Sequence, residues 1–179
     1  MSILAIDTAA SRTSVVVIEN SEVIFSEFRD GAMSHGPALP ELVQAAIKDR
    51  EISEVLVGMG PGPYTGLRVG ITFAQTFAWA RNIPVRGFCS LDAIAAQVSE
   101  PDFIVAIDAR RKEVYWARYT NGVRVEGPAV DLPAAVAARG IKVIDSLLPD
   151  PKYFVELTEE FNEPIYLRRP DAVATADRK

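Results

Sequence analysis

The chain has one cysteine, Cys89, one histidine, His35, and no apolar run approaching the roughly 20 residues needed to span a bilayer. A lone cysteine excludes an internal disulfide. The opening MSILAID has neither the charged start nor the length of a secretory signal peptide, so the expected compartment is the cytoplasm, with no membrane association. Positive charge is also short: 19 Lys and Arg stand against 24 Asp and Glu, a formal net charge of -5. Bulk attraction to nucleic acid is therefore disfavoured, and the clusters Arg110-Arg111-Lys112 and Arg168-Arg169 read as solvated surface or single anion contacts. What remains is a globular composition, 49% apolar and 24% charged over 179 residues, enough for one good domain or two small lobes.

Glycine is concentrated in one place. The string GMGPGPYTGLRVG, Gly58 to Gly70, carries glycines at 58, 62, 66 and 70, and a fifth at 60. Before it, Glu54 to Met59 reads as a short buried strand; after it, Thr65 to Arg81 has no proline and reads as a helix. Gly60, Pro61 and Gly62 shape the loop between them, with Thr65 at the helix start. A glycine-rich loop entering a helix suits a phosphate. The usual phosphate-loop signature nevertheless fails, because Gly66-Leu67-Arg68 stands where Gly-Lys-Ser/Thr is needed.

On that helix Gly66, Gly70, Ala74 and Ala78 form one row, with Val69, Phe73, Phe77 and Ala80 on one side and Leu67 and Ile71 on the other. The apolar arc spans roughly 200°, about twice what one sheet requires. A mid-helix glycine costs roughly 1 kcal/mol relative to alanine, so Gly70 signals a close backbone neighbour. Either a partner helix docks on the row, or the row packs on the chain's own sheet or a neighbouring helix.

Strands are expected at Ile3 to Ile6, Ser14 to Ile18, Val23 to Phe28 and Pro84 to Phe88. A helix from about Ala38 to Arg50 places Leu39, Leu42, Val43, Ala46 and Ile47 on one face, and Ser90 reads as the N-cap of another helix. AIDTAASRTSVVVI, from Ala5, is echoed by AIDARRKEVYWARY 101 residues later, which suggests two lobes on one plan, residues 1–100 and 101–179. Asp7 and Asp108 then sit at matching strand ends. Asp7 and Thr8 with Asp108 and Arg110 are candidates for a hydrated metal and nucleotide phosphates. The alternative is that each aspartate caps its own turn, since neither turn contains the glycines that let amides approach a phosphate.

These strings, together with IPVRGFCSLDAIA from Ile83, resemble the TsaB (YeaZ) family over the first 120 residues; beyond Asn121 only Tyr166-Leu-Arg168 does so. The resemblance implies the two-lobe α/β fold of actin, sugar kinases and heat-shock ATPases (the ASKHA, ribonuclease H-like fold), with mixed sheets and here a shortened second lobe. It implies a role, with the catalytic paralogue TsaD and the ATPase TsaE, in making threonylcarbamoyladenosine beside the anticodon of tRNAs that read codons starting with A. It also implies homodimerisation through the two first-lobe helices, with the same surface holding TsaD and tRNA met only through the complex. The implied contact residues are Leu39, Leu42, Val43, Ala46, Gly66, Gly70, Phe73, Ala74, Phe77 and Ala78.

The departures point away from catalysis. TsaD-type chemistry uses paired metal-binding histidines, and His35 is alone. After Gly122 only Gly127 and Gly140 occur, so the adenosine loop of active fold relatives is missing. The expectation is no catalytic residue and no metal site of its own, with ATP or ADP and magnesium possible only at a complex interface. The alternatives are a phosphohydrolase using Asp7 and Asp108 and, remotely, a peptidase using Ser34 and His35. Adjacent loop residues do not by themselves make a nucleophile and base.

Overall fold

The computed structural model describes residues 1–31, 34–48 and 50–168. Arg169, half of the second basic pair, and the path of the chain beyond it lie outside these residues. The first half builds a five-stranded mixed sheet in the order β3-β2-β1-β4-β5. Strands β1 (Ser2–Asp7), β2 (Arg12–Glu19) and β3 (Glu22–Asp30) form an antiparallel meander. β4 (Ile52–Gly58) lies parallel to β1, and β5 (Val85–Phe88) parallel to β4. The two crossovers are α1 (His35–Ala46) and α2 (Tyr64–Arg81).

The continuous apolar runs of β1, β2 and β4 follow from burial on both faces. Leu4, Ile6, Val15, Val17, Val55 and Val57 pack under α1 and α2. Ala5, Val16, Ile18 and Leu56 face the other way, against Phe88, Ala93 and Phe154.

Two helix starts differ from expectation. α1 begins at His35 rather than Ala38, because Pro37 falls in the first turn, where a backbone N–H has no helical partner to lose. It also ends at Ala46, short of Arg50. Ser90 is the first residue of α3 (Ser90–Ala95) and Cys89 is its cap; the Ser90 hydroxyl does not cap the helix but donates to Asp7 at 2.6 Å.

The second half repeats the plan in reduced form, in the order β8-β7-β6-β9. β6 (Asp102–Asp108), β7 (Val114–Thr120) and β8 (Val123–Asp131) are antiparallel, and a five-residue α4 (Pro133–Ala137) leads to the two-residue β9 (Val143–Ile144), parallel to β6. The two turns differ in length by one residue: Asp7 pairs with Ser14, seven positions on, and Asp108 with Val114, six on.

The chain then returns to the first sheet. A 3-10 turn, Pro151–Glu156, places fully buried Phe154 against Phe88, with ring centroids 5.6 Å apart. The Phe161 amide donates to Gly87 O and the Ile165 amide to Met59 O, both at 2.8 Å. Between the sheets, Asp92 of α3 accepts from Tyr119 at 2.7 Å and from Arg124 at 3.1 Å, and Arg124 also pairs with Glu159. No helix among the described residues is long and apolar enough to cross a membrane.

Phe154→Ala is expected to cost about 3–5 kcal/mol in chemical denaturation, the usual penalty for emptying a buried aromatic site. A loss below about 1 kcal/mol would mean that the returning segment is not part of the core.

Candidate functional site

The turn after β1 is the hub of the molecule. Asp7, Thr8 and Ala9 are buried there, and the four evenly spaced glycines all lie against them. A methyl on Gly58 would overlap the Asp7 carboxylate, one on Gly62 the Ala9 carbonyl, one on Gly66 the Thr8 carbonyl and one on Gly70 the Thr8 hydroxyl. The Thr8 hydroxyl donates to Gly66 O at 2.8 Å and so ties the turn to α2. The close neighbour of Gly70 is therefore the Thr8 side chain of the chain's own β1–β2 turn, not another backbone.

Asp7 is fully enclosed. Its Oδ1 accepts from the Ala9 amide at 2.9 Å and its Oδ2 from Ser90. Burial pushes its pKa up to about 6, against the lowering effect of those two bonds. Asp108 makes the same turn contact, accepting from the Arg110 amide at 2.9 Å, but it is exposed. The turn-capping alternative thus describes both aspartates. Asp7 and Asp108 do not face one another across an open site. A cleft of about 160 Å³ does run between the two turns, lined by Ala10, Ser11, Asp108, Arg110 and Asp145, but Asp7 does not reach it. With the Asp7 oxygens and the Thr8 hydroxyl committed internally, these residues do not fit a magnesium-bound nucleotide. Among the described residues no group of three or more His, Cys, Asp or Glu is arranged to hold a metal.

The expected partner-contact residues need correction on the same ground. Leu39, Leu42, Val43 and Ala46 of α1, and Gly66, Gly70, Ala74, Phe77 and Ala78 of α2, are buried in the chain's own core; Phe73 alone is half-buried. The wide apolar arc of α2 covers a sheet, a turn and α1 at once. The outward face of the pair consists of Gly36, Pro37, Pro40, Glu41 and Gln44 on α1 and Thr65, Thr72, Thr76 and Trp79 on α2, flanked by half-buried Val69 and Phe73. Trp79 is 85% exposed. It directly follows buried Phe77 and Ala78, and its angle on the helix wheel separates it from the buried row.

His35 and Ser34 are not a catalytic pair. The His35 ring is buried, with Nδ1 2.7 Å from Thr13 Oγ1, and burial holds its pKa below the ordinary value. The Ser34 hydroxyl donates to Gly31 O at 2.6 Å. Gly60 (φ +98°) and Gly62 shape the loop as expected, and Thr65 stands exposed at the start of α2.

A second cleft, of about 340 Å³, lies between that helix start and the β6–β7 turn. Its walls carry Tyr64, Tyr115 and Tyr166 beside Arg110, Arg111 and Arg168. Arg168 donates to Ala109 O at 2.9 Å and pairs with Glu113. Tyr64 and Tyr166 come from positions about 100 residues apart with no shared pattern, so no sequence signal joins them.

Comparison with known proteins follows this architecture. A family model described as "TsaD: tRNA N6-adenosine threonylcarbamoyltransferase" matches residues 31–166. The chain is 37% identical over 197 aligned residues to an uncharacterized protein of Mycobacterium tuberculosis, covering 95% of this chain and 93% of that one. It is 33% identical to the tRNA threonylcarbamoyladenosine biosynthesis protein TsaB of Bacillus subtilis, over 69% of this chain and 58% of TsaB. The match thus spans less than two thirds of that relative. A crystal structure from Pseudomonas aeruginosa, of an uncharacterized protein similar to peptidase YEAZ, shares the fold, with a TM-score of 0.78, 23% identity and coverage of 93% and 99%.

Two measurements test the hub. Gly70→Ala is expected to destabilise the protein by about 1–3 kcal/mol through overpacking, although it favours the isolated helix by about 1 kcal/mol. The cost should shrink in a Thr8→Ala background, and a strictly additive double-mutant cycle would place the contact elsewhere. Because the folded pKa of Asp7 is raised, the group disfavours the fold above about pH 6, and the penalty fades as pH falls towards its unfolded pKa. Relative to Asp7→Asn, wild type should therefore lose about 2–3 kcal/mol of unfolding free energy between pH 4 and pH 8. A flat difference would refute the raised pKa.

Proposed function

The chain belongs to the TsaB (YeaZ) family of tRNA threonylcarbamoyladenosine biosynthesis proteins, and from that premise we propose that it is a non-catalytic subunit that binds and organises TsaD. With TsaE, the assembly modifies the adenosine beside the anticodon in tRNAs reading codons that begin with A. In this reading residues 1–100 and 101–179 are the two lobes, the protein pairs with itself when alone, and it meets tRNA in the cytoplasm through the complex.

The observation that carries the non-catalytic part is the enclosed turn. An aspartate at the end of β1 serves phosphate chemistry only if its oxygens reach a ligand, and here both are spent on Ala9 and Ser90. The same observation counts against a phosphohydrolase built on Asp7 and Asp108, and the separate bonding of Ser34 and His35 counts against a peptidase. ATP or ADP with magnesium would then sit at the junction with TsaD.

The binding part is supported by the outward face of α1 and α2. Pro37, Pro40, Thr72, Thr76 and Trp79 form a surface with little charge, on two helices rigidly fixed to the sheet. Small and apolar groups of this kind lose little hydration when another helix pair covers them.

Solution mass tests the assignment, measured by light scattering on the protein alone and with TsaD. Wild type is expected to run above monomer mass alone and to form a stable complex with TsaD. A Thr72→Arg/Thr76→Arg variant, altered only at exposed positions, should keep its melting midpoint and lose both associations. Retention of the TsaD complex by that folded variant would exclude this face.

A further inference from the structure

The cleft beside the start of α2 adjoins the docking surface just described, sharing Thr65 with it. Its chemistry is specific. Tyr64 and Tyr166 are 38% and 41% exposed at its rim and contact one another, with ring centroids 5.1 Å apart and planes tilted by 43°. The Arg68 guanidinium donates to the Tyr64 hydroxyl at 3.1 Å and lies 5.4 Å from its ring centroid. Arg168 is fixed on the wall by Ala109 O and Glu113.

Arg110 is the shared cation. It and Pro63 line this cleft and two neighbours, one towards Ala10 and Ser11, the other towards His35 and Val69. The three therefore adjoin one another around Pro63 and Arg110, and together they form a trough with Asp108 and Asp145 on its far wall. The turn that presents Arg110 is unusual: Arg110, Arg111 and Lys112 have φ values of 62°, 55° and 64°, three consecutive left-handed residues without a glycine. Such a conformation persists only where the surroundings impose it.

Flat aromatic faces beside guanidinium groups, in a trough longer than one small molecule, match a chain that alternates planar rings with single negative charges. In duplex RNA the base faces are hidden by stacking, so only unpaired nucleotides can use exposed tyrosines. We infer that this trough takes an unpaired segment of RNA, with a base against Tyr64 and Tyr166 and a phosphodiester at Arg110. An acidic peptide would leave the rings unused. The preference for RNA over other polyanions rests on the tRNA-modification reading above. Because the protein carries a net charge of -5, the contact is local, and few phosphates take part.

The test is fluorescence anisotropy with the full chain and a fluorescein-labelled, unstructured RNA of about twelve nucleotides, repeated over a range of salt concentrations. Wild type is expected to bind this strand and to bind its duplex form at least about tenfold more weakly. Tyr166→Leu should weaken binding about tenfold with the salt slope unchanged, since it removes stacking. Arg110→Glu should weaken it about tenfold or more and reduce the slope by about 1, since it removes a phosphate contact. Both positions are exposed, and an unchanged melting midpoint confirms the fold; Tyr64→Leu is the second ring variant. Equal binding of duplex, unchanged affinity in the variants, or tighter binding of magnesium-ATP or octaglutamate than of RNA would each overturn the inference. TsaD binding is measured on the same samples. Variants that hold TsaD and bind RNA like wild type defeat this inference alone, whereas a wild-type chain that does not bind TsaD defeats the earlier reading.

Discussion

Four backbone segments meet within van der Waals distance at one buried turn, and that convergence organises the rest of the protein. Asp7, Thr8 and Ala9 receive Gly58 at the end of β4, Gly62 in the loop, and Gly66 and Gly70 on α2, while Ser90 brings in the start of α3. A side chain at any of the four glycines would push one segment away. Because the contacts are made by backbone and by short polar groups, they fix position more sharply than apolar packing, which tolerates repacking at similar volume. The helices therefore hold a fixed attitude on the sheet, and their outer faces act as one rigid surface. The cost is chemical: the carboxylate at the strand end is used as a brace and its oxygens are closed to solvent.

The two halves share a plan and differ in what covers it. Asp7 and Asp108 both accept an amide two residues on, yet one is enclosed and the other open, because only the first turn is followed by a glycine loop and a long helix that close over it. The second sheet has a five-residue helix and a two-residue strand in the corresponding place. Its turn stays accessible and carries three cationic side chains on left-handed backbone.

Much of this was legible in the sequence. Runs such as Val15-Val-Val-Ile18, bounded by polar turns, located the strands, and the proline-free stretch after Tyr64 located α2 to within a residue. The glycine row announced a close approach. It did not say to what, because Thr8, 58 residues from Gly66, has no distinguishing neighbours and an ordinary side chain. The same limit explains Ser90. Its position suits an N-cap, and nothing local reveals a carboxylate 83 residues away competing for its hydroxyl. The apolar arcs of α1 and α2 face the chain's own core, because periodicity identifies an apolar arc but does not count the objects that share it. The segment around Phe154 and Phe161 has neither helical nor strand periodicity, and its burial comes wholly from tertiary contact.

That last segment bears on how the protein comes into being. One face of β1, β2 and β4 is completed by Phe154, and the edge beside β5 by the backbone of Phe161. As the chain is made, residues 1–100 precede Phe154, so the cluster of Ala5, Val16, Ile18, Leu56, Phe88 and Ala93 lacks one of its members until translation has passed residue 154. In the finished fold, that apolar face of the N-terminal half is completed by a residue the ribosome adds about fifty positions after the half itself.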